Sequence, residues 1–193
     1  MTHFGTKELE TDRLRLRKFE LTDAEAIYNN WANDSDVTKY LMWPTHTDIG
    51  ITSSVLGEWV NHYNDDTFYL WAIVLKSNGI EPIGNISIVK MDDRIGMVHV
   101  GYCIGKKWWN YGIASEALSE LIRFFFEEVK VNRIEARHDS KNPNSGKVMK
   151  KCGMAFEGTL KQGDWNNQGI CDCSMYGIVR EDYYKDKMSI YRE

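Results

Sequence analysis

The sequence predicts an α+β fold, and three observations predict it. Apolar residues alternate with polar ones in several short stretches along the chain, the period of half-buried strands. Helical stripes with a longer period separate these stretches. No internal repeat, low-complexity tract or linker divides the chain. A length of 193 residues is about one domain's worth. A hydrophobic content of 42% suffices for a sizeable core, which disfavours disorder. A single domain over 1–193 is therefore expected.

The elements follow in order. "RLRLRKF" (13–19) sets Leu14 and Leu16 against Arg13, Arg15 and Arg17 and reads as a strand. In "LTDAEAIYNNW", Thr22 and Glu25 have capping-box spacing, and Ala24, Ile27, Tyr28 and Trp31 form a helical stripe. Residues 34–64 read as less regular helix, interrupted at "WPTHTD" around Pro44. "FYLWAIVL" (68–75) and "EPIGNISIVK" (81–90) are strands joined through Asn78-Gly79, a tight hairpin signal. After a turn at "DDRIG", "MVHVGYCIG" (97–105) is the next strand. A helix from about 114 carries Leu118, Leu121, Ile122 and Phe125 on one face. "RIEARHD" (133–139) is a strand, and "PNSGKVMKKCG" (143–153) a short helix stopped by Gly153. Two last strands lie near "FEGTLKQ" and "CDCSMYGIV", joined through "DWNNQG".

Charge and composition remove several function classes. With 28 acidic and 24 basic residues, the net charge is −4. That balance lacks the broad basic face which nucleic-acid binding needs. No segment approaches 18 apolar residues, so no membrane helix is expected. The start, "MTHFGTKELETDR", has no apolar run of the signal-peptide kind. Cys103, Cys152, Cys171 and Cys173 form no C-x-x-C pair, and "CDC" is a poor zinc pattern. Free thiols, a reducing cytoplasm and no bound metal are the expectation.

The most informative stretch is "GKKWWNYGIASEAL" (105–118). A strand entering a helix through a glycine-bearing loop leaves backbone N–H groups free at the helix start. The helix dipole adds about half a positive charge there, which suits a phosphate or pyrophosphate. Gly112 permits a sharp turn and close approach, and the small Ala114 leaves the anion room. Lys106 and Lys107 add nearby charge. Neither G-x-G-x-x-G nor G-x-x-x-x-G-K-[ST] is present, so a dinucleotide fingerprint and a P-loop are unsupported. Read by spacing alone, the segment also fits an ordinary strand-loop-helix connection.

"VGYCIGKKWWNYGIASEAL" resembles the coenzyme A loop of the Gcn5-related N-acetyltransferases (GNAT). The family pattern Gln/Arg-x-x-Gly-x-Gly/Ala reads here Trp109-Asn110-Tyr111-Gly112-Ile113-Ala114. Its first position departs from Gln/Arg in the manner of the RimJ/RimL ribosomal-protein-alanine acetyltransferase branch. "ETDRLRLRKFELTDAEAIYNNWAND", "PIGNISI" and "NRIEARHDSKNPNSGKVMKKCGMAFEGTLKQ" resemble that branch in the same order, so the likeness covers a core of about 8–185.

The resemblance implies a mixed, mostly antiparallel sheet flanked by helices, with two central strands splayed apart, here 97–104 and 133–139. The pantetheine arm of acetyl-CoA would pair with strand backbone in that gap, including Cys103 and Ile104. The pyrophosphate would take backbone N–H groups of Trp109, Asn110, Gly112, Ile113 and Ala114. The implied activity is acetyl-CoA-dependent transfer of an acetyl group to a primary amine by direct attack on the thioester, with no metal. Where many relatives have a basic glutamate, this chain has His99, whose ordinary pKa of about 6.5 suits a base. The same residue also fits a hydrogen-bonded strand histidine. A backbone N–H at a bulge near Cys103 would polarise the carbonyl, with the thiol only packing. The tyrosine acid of many relatives is replaced by Met149, and the branch's Asn-x-x-Ser is matched by Asn142, a coenzyme contact, and Ser145, a proton donor. The same residue types also serve as turn and helix cap.

For the acceptor, Trp31, Trp43, His46, Asp48, Trp59, Tyr63, Asp164 and Trp165 offer aromatics and carboxylates to a cationic amine, or ordinary packing. A protein N-terminus, a polyamine, a free amino acid and an aminoglycoside all fit. The missing glutamate and tyrosine also fit a non-catalytic acyl-CoA-binding or sensing module. The "KKWWNY" segment alone would fit the partner patch of an α+β interaction protein. A homodimer through the C-terminal strands is compatible with the sequence.

Overall fold

The computed structural model describes residues 1–190. Among the described residues, eight strands form one sheet: β1 (Leu9–Glu10), β2 (Leu14–Arg17), β3 (Leu70–Leu75), β4 (Pro82–Asp92), β5 (Met97–Ile104), β6 (Arg133–Asp139), β7 (Ala155–Asn166) and β8 (Gly169–Val179). Their order across the sheet is β1-β2-β3-β4-β5-β6-β8-β7. Every neighbouring pair is antiparallel except β5 and β6. The helices are α1 (Ala24–Ile27), α2 (Ser35–Thr38), α3 (Ile49–His62), α4 (Ile113–Phe124), α5 (Pro143–Lys151) and α6 (Arg180–Ile190). Single π turns extend α1 to Ala32 and α4 to Val129.

Strand alternation sends the two apolar sets to opposite faces of the sheet. Leu14, Leu16, Trp71, Ile73, Val98 and Val100 pack with Leu118, Leu121, Ile122 and the Phe124–Phe126 run of α4. Ala72 and Cys103 pack on the other face with Phe19, Ile27, Trp31 and Leu56 from the first helices. The α4 stripe and Ala24, Ile27 and Trp31 of the α1 stripe therefore face the sheet, whereas the Tyr28 hydroxyl reaches Thr47 O.

Three local expectations are corrected. The entry to α1 is held by Asp23 rather than by a Thr22–Glu25 box. Asp23 Oδ2 accepts from the Glu20 N–H at 2.9 Å and from Arg17 Nη1 at 2.7 Å. The buried guanidinium binds that carboxylate bidentately, which outcompetes a threonine hydroxyl. The β3–β4 connection is not a two-residue turn at Asn78-Gly79. It spans 76–81, begins with a 3-10 turn at Lys76–Asn78, and places Gly79 at φ +80°. Asp164 and Trp165 lie within β7, because β7 and β8 both run on to a turn at 167–168.

The feature that positions the site is the parting of β5 and β6. Their parallel register runs from Met97↔Arg133 to Val100↔Ala136 and stops. Beyond it β5 stays paired with β4 as far as Gly84↔Ile104, and β6 stays paired with β8 as far as Asp139↔Cys173. Each strand is held by its outer neighbour, so the gap between 101–104 and 137–139 is built into the ladders.

Candidate active site

The gap opens into a cleft of about 710 Å³. Residues from the parted strands, the 108–115 loop, the start of α5 and the β7–β8 hairpin line it.

The loop after β5 is closed by its own hydrogen bonds. Trp108 N donates to Gly105 O at 2.9 Å, and Trp109 N donates to Lys106 O at 3.2 Å. The Trp109 indole N–H donates to Ile104 O at 2.7 Å. Asn110 and Gly112 then take left-handed conformations, φ +66° and φ +76°. The first bond of α4 runs from Glu116 N to Gly112 O at 3.0 Å. The N–H groups of Ile113, Ala114 and Ser115 precede that bond and have no partner within the helix. Of the loop amides expected to face an anion, that of Trp109 is excluded, because the 3-10 turn consumes it. Those of Gly112, Ile113 and Ala114 stand at the helix mouth.

The cations near that mouth are not the ones expected. Lys106 Nζ pairs with Asp36 at 2.5 Å, and Lys107 Nζ lies 5.2 Å from the centroid of the Trp108 ring. Arg13 and Lys151 approach instead. A Cβ built on Gly112 would lie 3.6 Å from Arg13 Nη2 and 3.9 Å from Lys151 Nζ. Arg13 also fastens the loop. It donates to Tyr111 O at 3.0 Å and to Glu116 Oε2 at 2.7 Å, clamping the residues on both sides of Gly112 to the turn that leads into β2. Tying up the Tyr111 carbonyl keeps an acceptor from facing the anion.

Cys103 is placed differently from expectation. The bulge of this ladder is in β4, where Ile88↔Val100 is followed by Lys90↔His99, leaving Val89 as the extra residue. Gly105 N donates to Ile83 O at 2.9 Å. By the two-residue alternation of an antiparallel ladder, the N–H of Cys103, opposite Asn85, also faces β4. The amides of Tyr102 and Ile104 face the gap. The Cys103 thiol is 8% exposed, and burial pushes its pKa up to about 12, so it stays a packing group.

His99 lies on the cleft wall, 5% exposed. Its Nδ1 is 3.2 Å from Glu135 Oε1 on β6. Burial pulls its pKa below the ordinary histidine value, and the Glu135 contact opposes that shift only in part. The ring is therefore neutral near pH 7.

On the opposite side, Pro143 opens α5 and brings Ser145 into its first turn. Ser145 Oγ is 2.9 Å from the Tyr102 hydroxyl, which also donates to Ser145 O at 3.0 Å. Burial raises the Tyr102 pKa, so the phenol keeps its proton. Asn142 is the helix N-cap, but its side chain makes no capping bond; it lines the cleft.

Among the aromatic and acidic acceptor candidates, Trp43, Asp164 and Trp165 line the cleft. The others serve the fold. Trp31 is fully buried, and Trp59 packs on Phe19. His46 Nδ1 lies 2.8 Å from Thr52 Oγ1. Asp48 caps α3 through Gly50 N at 2.8 Å, and the Tyr63 hydroxyl bonds Phe19 N and Leu70 O. Sequence reasoning missed Arg13, Tyr102, Glu135 and the pair of Arg137 Nε with Asp164 Oδ2 at 2.9 Å. The strict alternation of Arg133, Glu135, Arg137 and Asp139 was a readable signal for the last two.

Comparison with known proteins agrees with this geometry. The family model "Acetyltransferase (GNAT) domain" matches residues 13–155. The uncharacterized N-acetyltransferase p20 of Bacillus licheniformis is 30% identical over 176 residues, covering 91% of this chain and 97% of its own. A crystal structure of a GNAT-family acetyltransferase from Bacillus anthracis superposes with a TM-score of 0.79 at 28% identity, covering 91% of this chain and 99% of that one. RimL, a ribosomal L7/L12 α-N-protein acetyltransferase solved in complex with coenzyme A, shares the fold. Its TM-score is 0.79 at 18% identity, over 90% of this chain and 98% of that one. The match covers both the loop at Gly112 and the parted strands, and the chain belongs to the GNAT acetyltransferase family.

Proposed function

We propose that this chain transfers the acetyl group of acetyl-CoA to a primary amine held on the Trp43–Asp164–Trp165 side of the cleft. The observation that carries the reading is the parting of β5 and β6 beside unbonded amides at the start of α4. The coenzyme A bound to the RimL neighbour supports it. The N–H groups of Gly112, Ile113 and Ala114 would hold the pyrophosphate, with Lys151 adding charge, while Arg13, paired with Glu116, holds the loop in place. Tyr102 and Ile104 would offer strand amides to the pantetheine arm, and Asn142 its free side chain. The thioester supplies an activated acetyl group and a thiolate leaving group.

An amine arrives mostly protonated, its pKa about 7.7–8.0 as an α-amine and about 10.4 as a lysine side chain. His99 Nε2 accepts the ammonium proton, directly or through one water. Ser145 Oγ, held by Tyr102, passes a proton to the departing sulfur and regains one from the attacking nitrogen as that nitrogen becomes the amide. A cationic acceptor suits the aromatic lining of Trp43 and Trp165, through cation–π contacts, beside the Asp164 carboxylate that Arg137 shares.

Two measurements test the reading. Coenzyme A at 100 times its dissociation constant should stabilise the fold by about 2.7 kcal/mol, seen as a rise in Tm. Acetyl-CoA with a panel of a polyamine, an aminoglycoside, amino acids and free-N-terminus peptides should release thiol. Stabilisation without thiol release would leave a coenzyme-binding module; no stabilisation would overturn both. Ser145→Ala should lower kcat about tenfold with KM for acetyl-CoA unchanged, the value of one hydrogen bond to a charged group, about 1.5 kcal/mol. An unchanged kcat would remove Ser145 from the proton path.

A further inference from the structure

The parallel register sets His99 directly opposite Glu135, and Glu135 does not stand alone. Its Oε2 accepts from Arg133 Nε at 3.3 Å. Arg133 in turn forms a two-pronged pair with Glu157 on β7, Nη1 to Oε1 at 2.7 Å and Nη2 to Oε2 at 2.5 Å. The chain His99–Glu135–Arg133–Glu157 thus runs from the cleft wall to the edge strand. It crosses β8 at Gly177, which is opposite Glu135. A Cβ on Gly177 would sit 2.5 Å from Glu157 Oε1 and 2.6 Å from Arg133 Nη2. A larger residue at that point would make the ends of the Arg133 and Glu157 side chains shift.

The geometry points to Glu135 as the positioning residue of His99: it holds the Nδ1–H and leaves the Nε2 lone pair turned to the cleft, with Arg133 and Glu157 fixing the carboxylate. The inference rests on His99 acting as the base. When Nε2 takes the ammonium proton, the imidazolium keeps its Nδ1–H on Glu135, and no proton need pass to the carboxylate. A carboxylate bonded to Nδ1–H in this way fixes both tautomer and ring orientation. The other charges that bear on His99 are Arg137, also on β6, and Lys90 on β4. Both disfavour the imidazolium, so Glu135 is the nearby group that stabilises it.

The test is nuclear magnetic resonance of the full chain with 15N-labelled histidine, the His99 signals assigned by their loss in His99→Ala. In the parent protein, above its titration, His99 should carry its proton on Nδ1. In Glu135→Gln the His99 midpoint should fall by about one pH unit, the low end of a close opposite charge. In Glu135→Ala the tautomer should shift toward Nε2–H. Glu135→Gln is isosteric and keeps the fold readable if Glu135→Ala does not. A midpoint and tautomer indifferent to both substitutions would overturn the inference. Thiol release by His99→Ala is scored separately. If that variant turns over like the parent, the base assignment fails, whatever Glu135 does to the ring.

Discussion

Replacing His99 by alanine should lower kcat/KM for the amine by about 10²–10⁴-fold, the usual contribution of a general base, and leave KM for acetyl-CoA unchanged. The second half separates a chemical role from a binding one, since His99 lies away from the Gly112 loop. The pH profile gives the sign. Burial lowers the His99 pKa from 6.5, so the neutral base persists through neutrality and activity falls only as pH drops below that ordinary value. In His99→Ala this acid limb should vanish and the residual rate should rise with pH as free amine accumulates. A variant with the parent's profile would end the assignment. The same burial also acts on stability. The unfolded chain protonates His99 near 6.5 while the folded chain resists. Stability is thus fully present above 6.5 and is lost as pH falls toward the lowered folded value. His46, also lowered by burial, adds in the same direction. Urea midpoints at pH 7.5 and 5.5 should differ in the parent and differ less in His99→Ala.

Much of this site was legible because short-range rules govern it. The left-handed glycine before a helix, the glycine that ends α5 and the alternating strands each depend on a few neighbouring residues, and each was found where spacing placed it. What failed was what competes over distance. Thr22 lost its capping role because Arg17, on a preceding strand, draws Asp23 into a buried pair. Lys106 was unavailable to an anion because Asp36, 70 residues earlier, lies beside it. Glu135 has no meaning as a neighbour of His99 until the parallel register is known, and a crossover helix sets that register. The bulge expected near Cys103 sits in the partner strand at Val89, where only the pairing of β4 with β5 can show it. Tyr102 was readable as a strand residue, yet its hydroxyl meets Ser145 only because α5 packs over the gap.

Gly112→Val should weaken coenzyme A binding by about a hundredfold or more while the fold persists. Space is not the obstacle, because a Cβ at Gly112 would meet Arg13 Nη2 at 3.6 Å and Lys151 Nζ at 3.9 Å, ordinary contact distances. Conformation is. At φ +76° a β-branched residue is a genuine outlier, and the left-handed region costs an L-residue about 1–2 kcal/mol. The loop can escape that cost by turning the 112 peptide over, since the helix proper starts one residue later. Escape swings at least two of the amides of Gly112, Ile113 and Ala114 away from one point. Two lost bonds to a charged phosphate, at about 1.5 kcal/mol each, sum to about 3 kcal/mol, or roughly a hundredfold. Arg13 resists the escape through its bond to Tyr111 O, and escape gives that bond up, so Arg13→Met combined with Gly112→Val should cost less fold stability than the sum of the two. Calorimetric titration with coenzyme A and with dephospho-coenzyme A checks the mechanism. Both ligands share the pyrophosphate, so both should lose affinity equally in Gly112→Val. A loss confined to coenzyme A would move the anion contact to the 3′-phosphate, and undiminished binding of both would mean that the mouth of α4 does not hold the pyrophosphate.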